Sequence, residues 1–85
     1  MSLSPKEIQQ ISKCTYKQTK TDQGVFITLQ SRILPEKDFK ALIQTITSIF
    51  EVPLTEDQSW KFESEDEFLK SAIEWLTTLN VKRVH

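Results

Sequence analysis

Few side chains in this 85-residue chain are equipped for covalent or metal chemistry: there is one histidine, His85, and one cysteine, Cys14. His85 is the last residue, and chain termini are commonly mobile, so it is a poor general base. Cys14 opens an alternating stretch and has no basic group beside it at a helix N-terminus to hold a thiolate, so an inert core thiol is expected. One Cys and one His do not make the usual zinc ligand set. Carboxylates are plentiful, but Glu63, Glu65, Asp66 and Glu67 crowd a helix start, where the macrodipole already accounts for them. The 56–67 stretch has neither the Asp/Asn ladder nor the glycine of a calcium loop. The single glycine, Gly24, is too little to build a phosphate cradle or a dinucleotide fingerprint. The residues thus point to a protein without metal or cofactor and to a function other than catalysis.

What remains is binding chemistry. Val25, Ile27 and Leu29 alternate with Phe26, Thr28 and Gln30, the pattern of a half-buried strand. Thr21-Asp22-Gln23-Gly24 is a turn, so residues 14–33 read as a β-hairpin. With Lys20 opposite Val25, Cys14 and Tyr16 share the buried face with Ile27 and Leu29. A one-residue slip would instead bury Thr15, Lys17 and Thr19. The favoured register throws Lys13, Thr15, Lys17 and Thr19, with Phe26, Thr28, Gln30 and Arg32, onto the opposite face. Three cations, one aromatic and no carboxylate suit either a polypeptide partner or a single-stranded nucleic acid, whose bases stack on aromatics while lysines track the phosphates. A solvated threonine and lysine face is the plain alternative, since threonine favours strands. Lys13, Lys17, Phe26 and Arg32 are therefore the candidate partner-binding residues.

Three helices must position that hairpin. Ser4, Pro5 and Glu7 supply an N-cap, a proline at the first helical position and a capping-box glutamate, with Leu3 and Ile8 placed as a hydrophobic staple and Ile8 and Ile11 as the inward residues. A second helix starts at Pro35. Its Phe39, Leu42, Ile43, Ile46, Ile49 and Phe50 fall within an arc of about 120° at 100° per residue, and Pro53 ends it near Val52. Ser59-Trp60-Lys61-Phe62-Glu63 is a short alternating run and reads as a strand. Ser64 and Glu67 form a second capping box, ahead of a third helix whose stripe runs from Phe68 to Leu79. The tail Val81 to His85 reads equally as a short added strand or as a frayed end. Glu36-Lys37-Asp38-Phe39 and Glu65-Asp66-Glu67-Phe68 open two helices alike, which shared helix-start chemistry explains without duplication.

The expected fold is a small two-layer α+β domain spanning residues 1–85, in the order α-β-β-α-β-α. It has a three-stranded sheet with the two long amphipathic helices on one face. The expected core is Tyr16, Ile27, Leu29, Phe39, Ile43, Ile46, Phe50, Trp60, Phe62, Phe68, Ile73, Leu76 and Leu79. A helical bundle with a hairpin arm is the competing architecture, favoured if residues 60–62 form a loop. An apolar share of 38% and a charged share of 27% exclude a disordered chain. The lone cysteine, the lack of a leader-like apolar run and the lack of any stretch long enough to span a bilayer point to a cytoplasmic protein without a membrane role. Net charge is −1, with residues 1–44 at +3 and residues 45–85 at −4. Such polarity could steer a charged partner or a second copy head to tail, but opposite charges that folding brings close together simply cancel, which is the plainer reading. The leading expectation is a protein-interaction or self-associating module, and the alternative is a single-stranded nucleic-acid binder using the basic outer face of the hairpin.

Overall fold

In the computed structural model, which describes residues 3–63 and 67–84, the alternating stretch forms the expected hairpin. Strand β1 (Thr15–Thr21) pairs antiparallel with β2 (Gly24–Gln30), with Lys20 opposite Val25 and Tyr16 opposite Leu29. Cys14, Tyr16, Val25, Ile27 and Leu29 are buried, as that register requires. Gly24 at the turn has a φ of +138°, and a Cβ there would lie 2.5 Å from the Phe62 carbonyl oxygen, so both the backbone angle and the close third strand demand glycine.

The sheet has four strands rather than the expected three. Strand β3 (Trp60–Phe62) pairs antiparallel with β2, and β4 (Lys82–Val84) pairs parallel with β1, giving the order β3-β2-β1-β4. The element order is therefore α-β-β-α-β-α-β. Because residues 60–62 are a strand, the helical-bundle architecture is set aside. No parallel crossover links β2 to β3. The crossover instead joins β3 to β4, which run in the same direction at opposite edges of the sheet.

Helix α1 (Pro5–Ile11) begins with the predicted capping box: the Ser4 N–H donates to Glu7 Oε1 at 3.0 Å and the Glu7 N–H to Ser4 Oγ at 3.3 Å. Ile11 is fully buried, but Ile8 is 41% exposed, so one apolar residue anchors this helix where the sequence suggested two. Helix α2 (Glu36–Phe50) buries Leu42, Ile43 and Ile46 and stops where Glu51 turns left-handed at φ 57°. Helix α3 (Glu67–Thr78) buries Leu69, Ala72 and Leu76. It ends in a Schellman motif: Asn80 has φ 66°, the Val81 N–H donates to the Leu76 carbonyl at 3.0 Å and the Asn80 N–H to that of Thr77 at 3.0 Å. Ser64, Glu65 and Asp66, and with them the second capping box, lie outside the described residues.

The three helices and the inward side chains of the strands share one core cluster. Trp60 is fully buried, and its Nε1–H donates to Thr47 Oγ1 at 2.9 Å, whose own hydroxyl donates to the Ile43 carbonyl at 2.8 Å. Phe50 meets the rings of Trp60, Phe62 and Trp75 edge-on, with centroids 5.2, 5.9 and 5.3 Å away. Phe68 departs from the expected core. It is 69% exposed, because the arc of α3 is centred on Leu69, Ala72 and Leu76 and leaves Phe68 on its margin. Phe39, Ile73 and Leu79 are half-buried at the rim of the core.

Candidate binding face of the sheet

With the helices sharing one core, the alternation of each strand leaves the other face of the sheet to solvent. Thr15, Lys17 and Thr19 of β1 point there, as do Phe26, Thr28 and Gln30 of β2. The pairings then carry Lys61 of β3, opposite Phe26, and Lys82 and Val84 of β4, beside Thr15 and Lys17, onto the same side. Lys17, Lys61, Lys82 and Val84 are exposed, and Phe26, Thr15 and Thr28 are half-buried. Strand β4 does not cover Phe26, since it lies two strands away, at the far edge of β1.

Each of the four candidate residues stands on this face or at its end. Lys13, just before β1, and Arg32, just after β2, meet at one end. There Thr15, Gln30, Ile33 and Val84 join them around an open hollow of about 350 Å³. Ile33 is 69% exposed and Val84 40%, so two unburied aliphatic side chains lie among the cations of this hollow. Lys17 lies in the middle of the sheet, and Phe26 lies towards the hairpin turn beside Lys61. Lys61 and Lys82 were not among the candidates. The alternation of Trp60-Lys61-Phe62 was itself a signal for Lys61, whereas Lys82 had none until β4 was known to pair.

Charge follows structure rather than sequence halves. Among the described residues no Asp or Glu occurs in a strand, whereas Lys17, Lys61 and Lys82 do on the outer face and Lys20 and Arg83 on the other. Lys61, Lys82 and Arg83 come from the acidic half of the chain, and pairing brings them into the same sheet as Lys17 and Lys20. Among the described residues the one ion pair joins Lys40 to Glu36 along α2, at 3.2 Å, so no described carboxylate pairs with a cation of the outer face.

Cys14 is buried, and its sulfur lies 3.6 Å from the Gln10 carbonyl oxygen. Burial pushes its thiol up from the ordinary value, with a smaller opposing effect from a hydrogen bond to Ser31. The Glu7 carboxyl is held below its ordinary value, chiefly by the Ser4 backbone N–H, next by the Ser4 side chain, and with a small contribution from Thr45. Among the described residues no three His, Cys, Asp or Glu side chains converge where a metal ion could be held, and no helix is long and apolar enough to cross a membrane. His85 lies outside the described residues. A second notch, of about 310 Å³, opens between the end of α2 and the start of α3, with Phe50, Val52, Phe62 and Phe68 in its walls. No family model matches this chain, no curated protein matches it, and no solved structure matches its fold.

Proposed function

We propose that this protein is a non-catalytic binding module that recognises an anionic macromolecule with the outer face of its sheet. The observation that carries the reading is the segregation of charge: in a chain of net charge −1, the described strands place Lys17, Lys61 and Lys82 and no carboxylate on the outer face of the sheet. Unpaired cations on a flat exposed face generate a local positive potential despite the overall charge. The protein is expected to be retained on an immobilised polysulfonate at pH 7 and low salt. Lys17→Glu with Lys82→Glu should abolish retention, whereas Lys37→Glu with Lys70→Glu, an equal change of charge on the helical side, should preserve most of it. Equal loss from both pairs would show that total charge, and not the face, governs binding.

Self-association is the second reading, supported by the exposed carboxylates of Glu51, Glu56, Asp57 and Glu63 around the connector to β3 and its end. A basic face and an acidic connector on the same chain are complementary between copies, head to tail. Light scattering would then show a mass that rises with concentration and falls with added salt.

A further inference from the structure

Resting on the reading of the sheet as a binding face, we propose that its occupant is a single-stranded nucleic acid. The cations are not scattered. Along the strands, Lys61 lies level with Phe26 and Thr19, Lys17 one two-residue step further, level with Thr28 and Val84, and Lys82 a second step on, level with Thr15 and Gln30. They form a diagonal from one sheet edge to the other, about 20 Å long at ~4.8 Å per strand and ~6.8 Å per two-residue step. Beyond its Lys82 end, Lys13 and Arg32 lie at the ends of β1 and β2, in the hollow at that end of the sheet. A backbone of repeated phosphates fits such a line of separated charges.

Two features separate this occupant from an acidic polypeptide, which the cations alone would satisfy. Phe26 stands beside the first lysine of the diagonal, set among threonines, with its ring outside the core cluster. An aromatic next to a phosphate-binding cation is a stacking platform for a base. At the other end the hollow combines Lys13 and Arg32 with the exposed aliphatic groups of Ile33 and Val84, which suits a flat base attached to an anionic backbone. The face contains no convergent base-reading constellation, so binding tolerant of sequence is implied.

The experiment is fluorescence anisotropy of a labelled twelve-nucleotide oligothymidylate, titrated with the full chain between 50 and 200 mM salt. Binding should weaken with salt, with a log–log slope of about −0.7 per phosphate neutralised, and Lys17→Ala and Lys82→Ala should each flatten the slope by about that amount. Phe26→Ala should weaken binding roughly 5- to 150-fold and leave the slope unchanged. All three positions are at the surface, and unaltered thermal melts establish that each variant is folded. Absence of oligonucleotide binding, with retention of a polyglutamate probe that Lys17→Glu abolishes, would overturn the nucleic-acid proposal and leave the binding face intact. Oligonucleotide binding weakened by Lys37→Ala and Lys70→Ala but not by Lys17→Ala would overturn both. Equal affinity for a duplex, insensitive to Phe26→Ala, would overturn the single-stranded assignment.

Discussion

Thr47 and Trp60 show how one polar pair organises an apolar core. Thr47→Val leaves the buried Trp60 Nε1–H without an acceptor and should cost about 1–3 kcal/mol. Trp60→Phe should cost less on the Thr47→Val background than in the wild type, which a double-mutant cycle by urea unfolding will read as coupling. Cys14 gives a pH prediction. Its folded-state pKa is raised, so its contribution to stability is complete below the unfolded thiol pKa and is lost as pH rises through and beyond about 8.5. Cys14→Ser should not retain that alkaline dependence, and in the native protein the thiol should react with a disulfide reagent far more slowly than in urea. Glu7 has the opposite sign: its folded pKa is lowered, so its contribution holds above about pH 4.3 and fades as pH falls. At this scale the sequence was informative where neighbours are local, as for Ser4, Glu7 and Cys14. It could not reveal the Trp60–Thr47 bond, which joins positions thirteen residues apart on different elements.

Elements with a strong apolar period were legible before their packing was. Alternation in Val25 to Leu29 set the hairpin register, and the stripe of α2 set its inward face. Ile46→Ala in that stripe should cost about 2–5 kcal/mol, a large part of the stability of so small a domain, and a melting temperature unchanged by the substitution would contradict its full burial. Strand β4 was not legible, because its three residues are all exposed and backbone pairing alone recruits them. What aims β4 is the end of α3. Asn80 adopts the left-handed conformation there, and Val81 returns to pack as a buried residue. Asn80→Gly should therefore be neutral or stabilising, while Asn80→Val should cost about 1–2 kcal/mol, measured by chemical denaturation. Phe68 escaped correct placement because a wide helical stripe has a centre and margins, and only packing decides which margin is covered.

For the whole molecule, topology assembles the candidate site. Lys17 and Phe26 are visible from the hairpin alone, but Lys61 joins them because β3 pairs with β2, and Lys82 because α3 carries the chain across to the opposite edge. Counting charge along the sequence separates a basic half from an acidic one, and pairing cuts across that division. The positive face thus depends on the fold being complete. Substitutions that loosen β4, such as Asn80→Val, should weaken polyanion retention by displacing Lys82 even though no cation is removed, and restoration of retention by Asn80→Gly would tie the effect to the turn.

The pairing of β4 with Thr15–Lys17 also has a kinetic side. It closes a loop of more than sixty residues, whereas the hairpin closes almost at once, so the β1 edge waits bare while the rest of the chain condenses. A bare edge is a template for a strand from another molecule. The same three-residue strand, exposed and held by few hydrogen bonds, is the place where the native sheet should reopen first, and its amides should exchange with solvent ahead of those of the hairpin. A lysine on that edge then has a second use besides the proposed binding: Lys17, at the end of the stretch that β4 covers, should keep like edges apart while β4 is not yet, or no longer, in place.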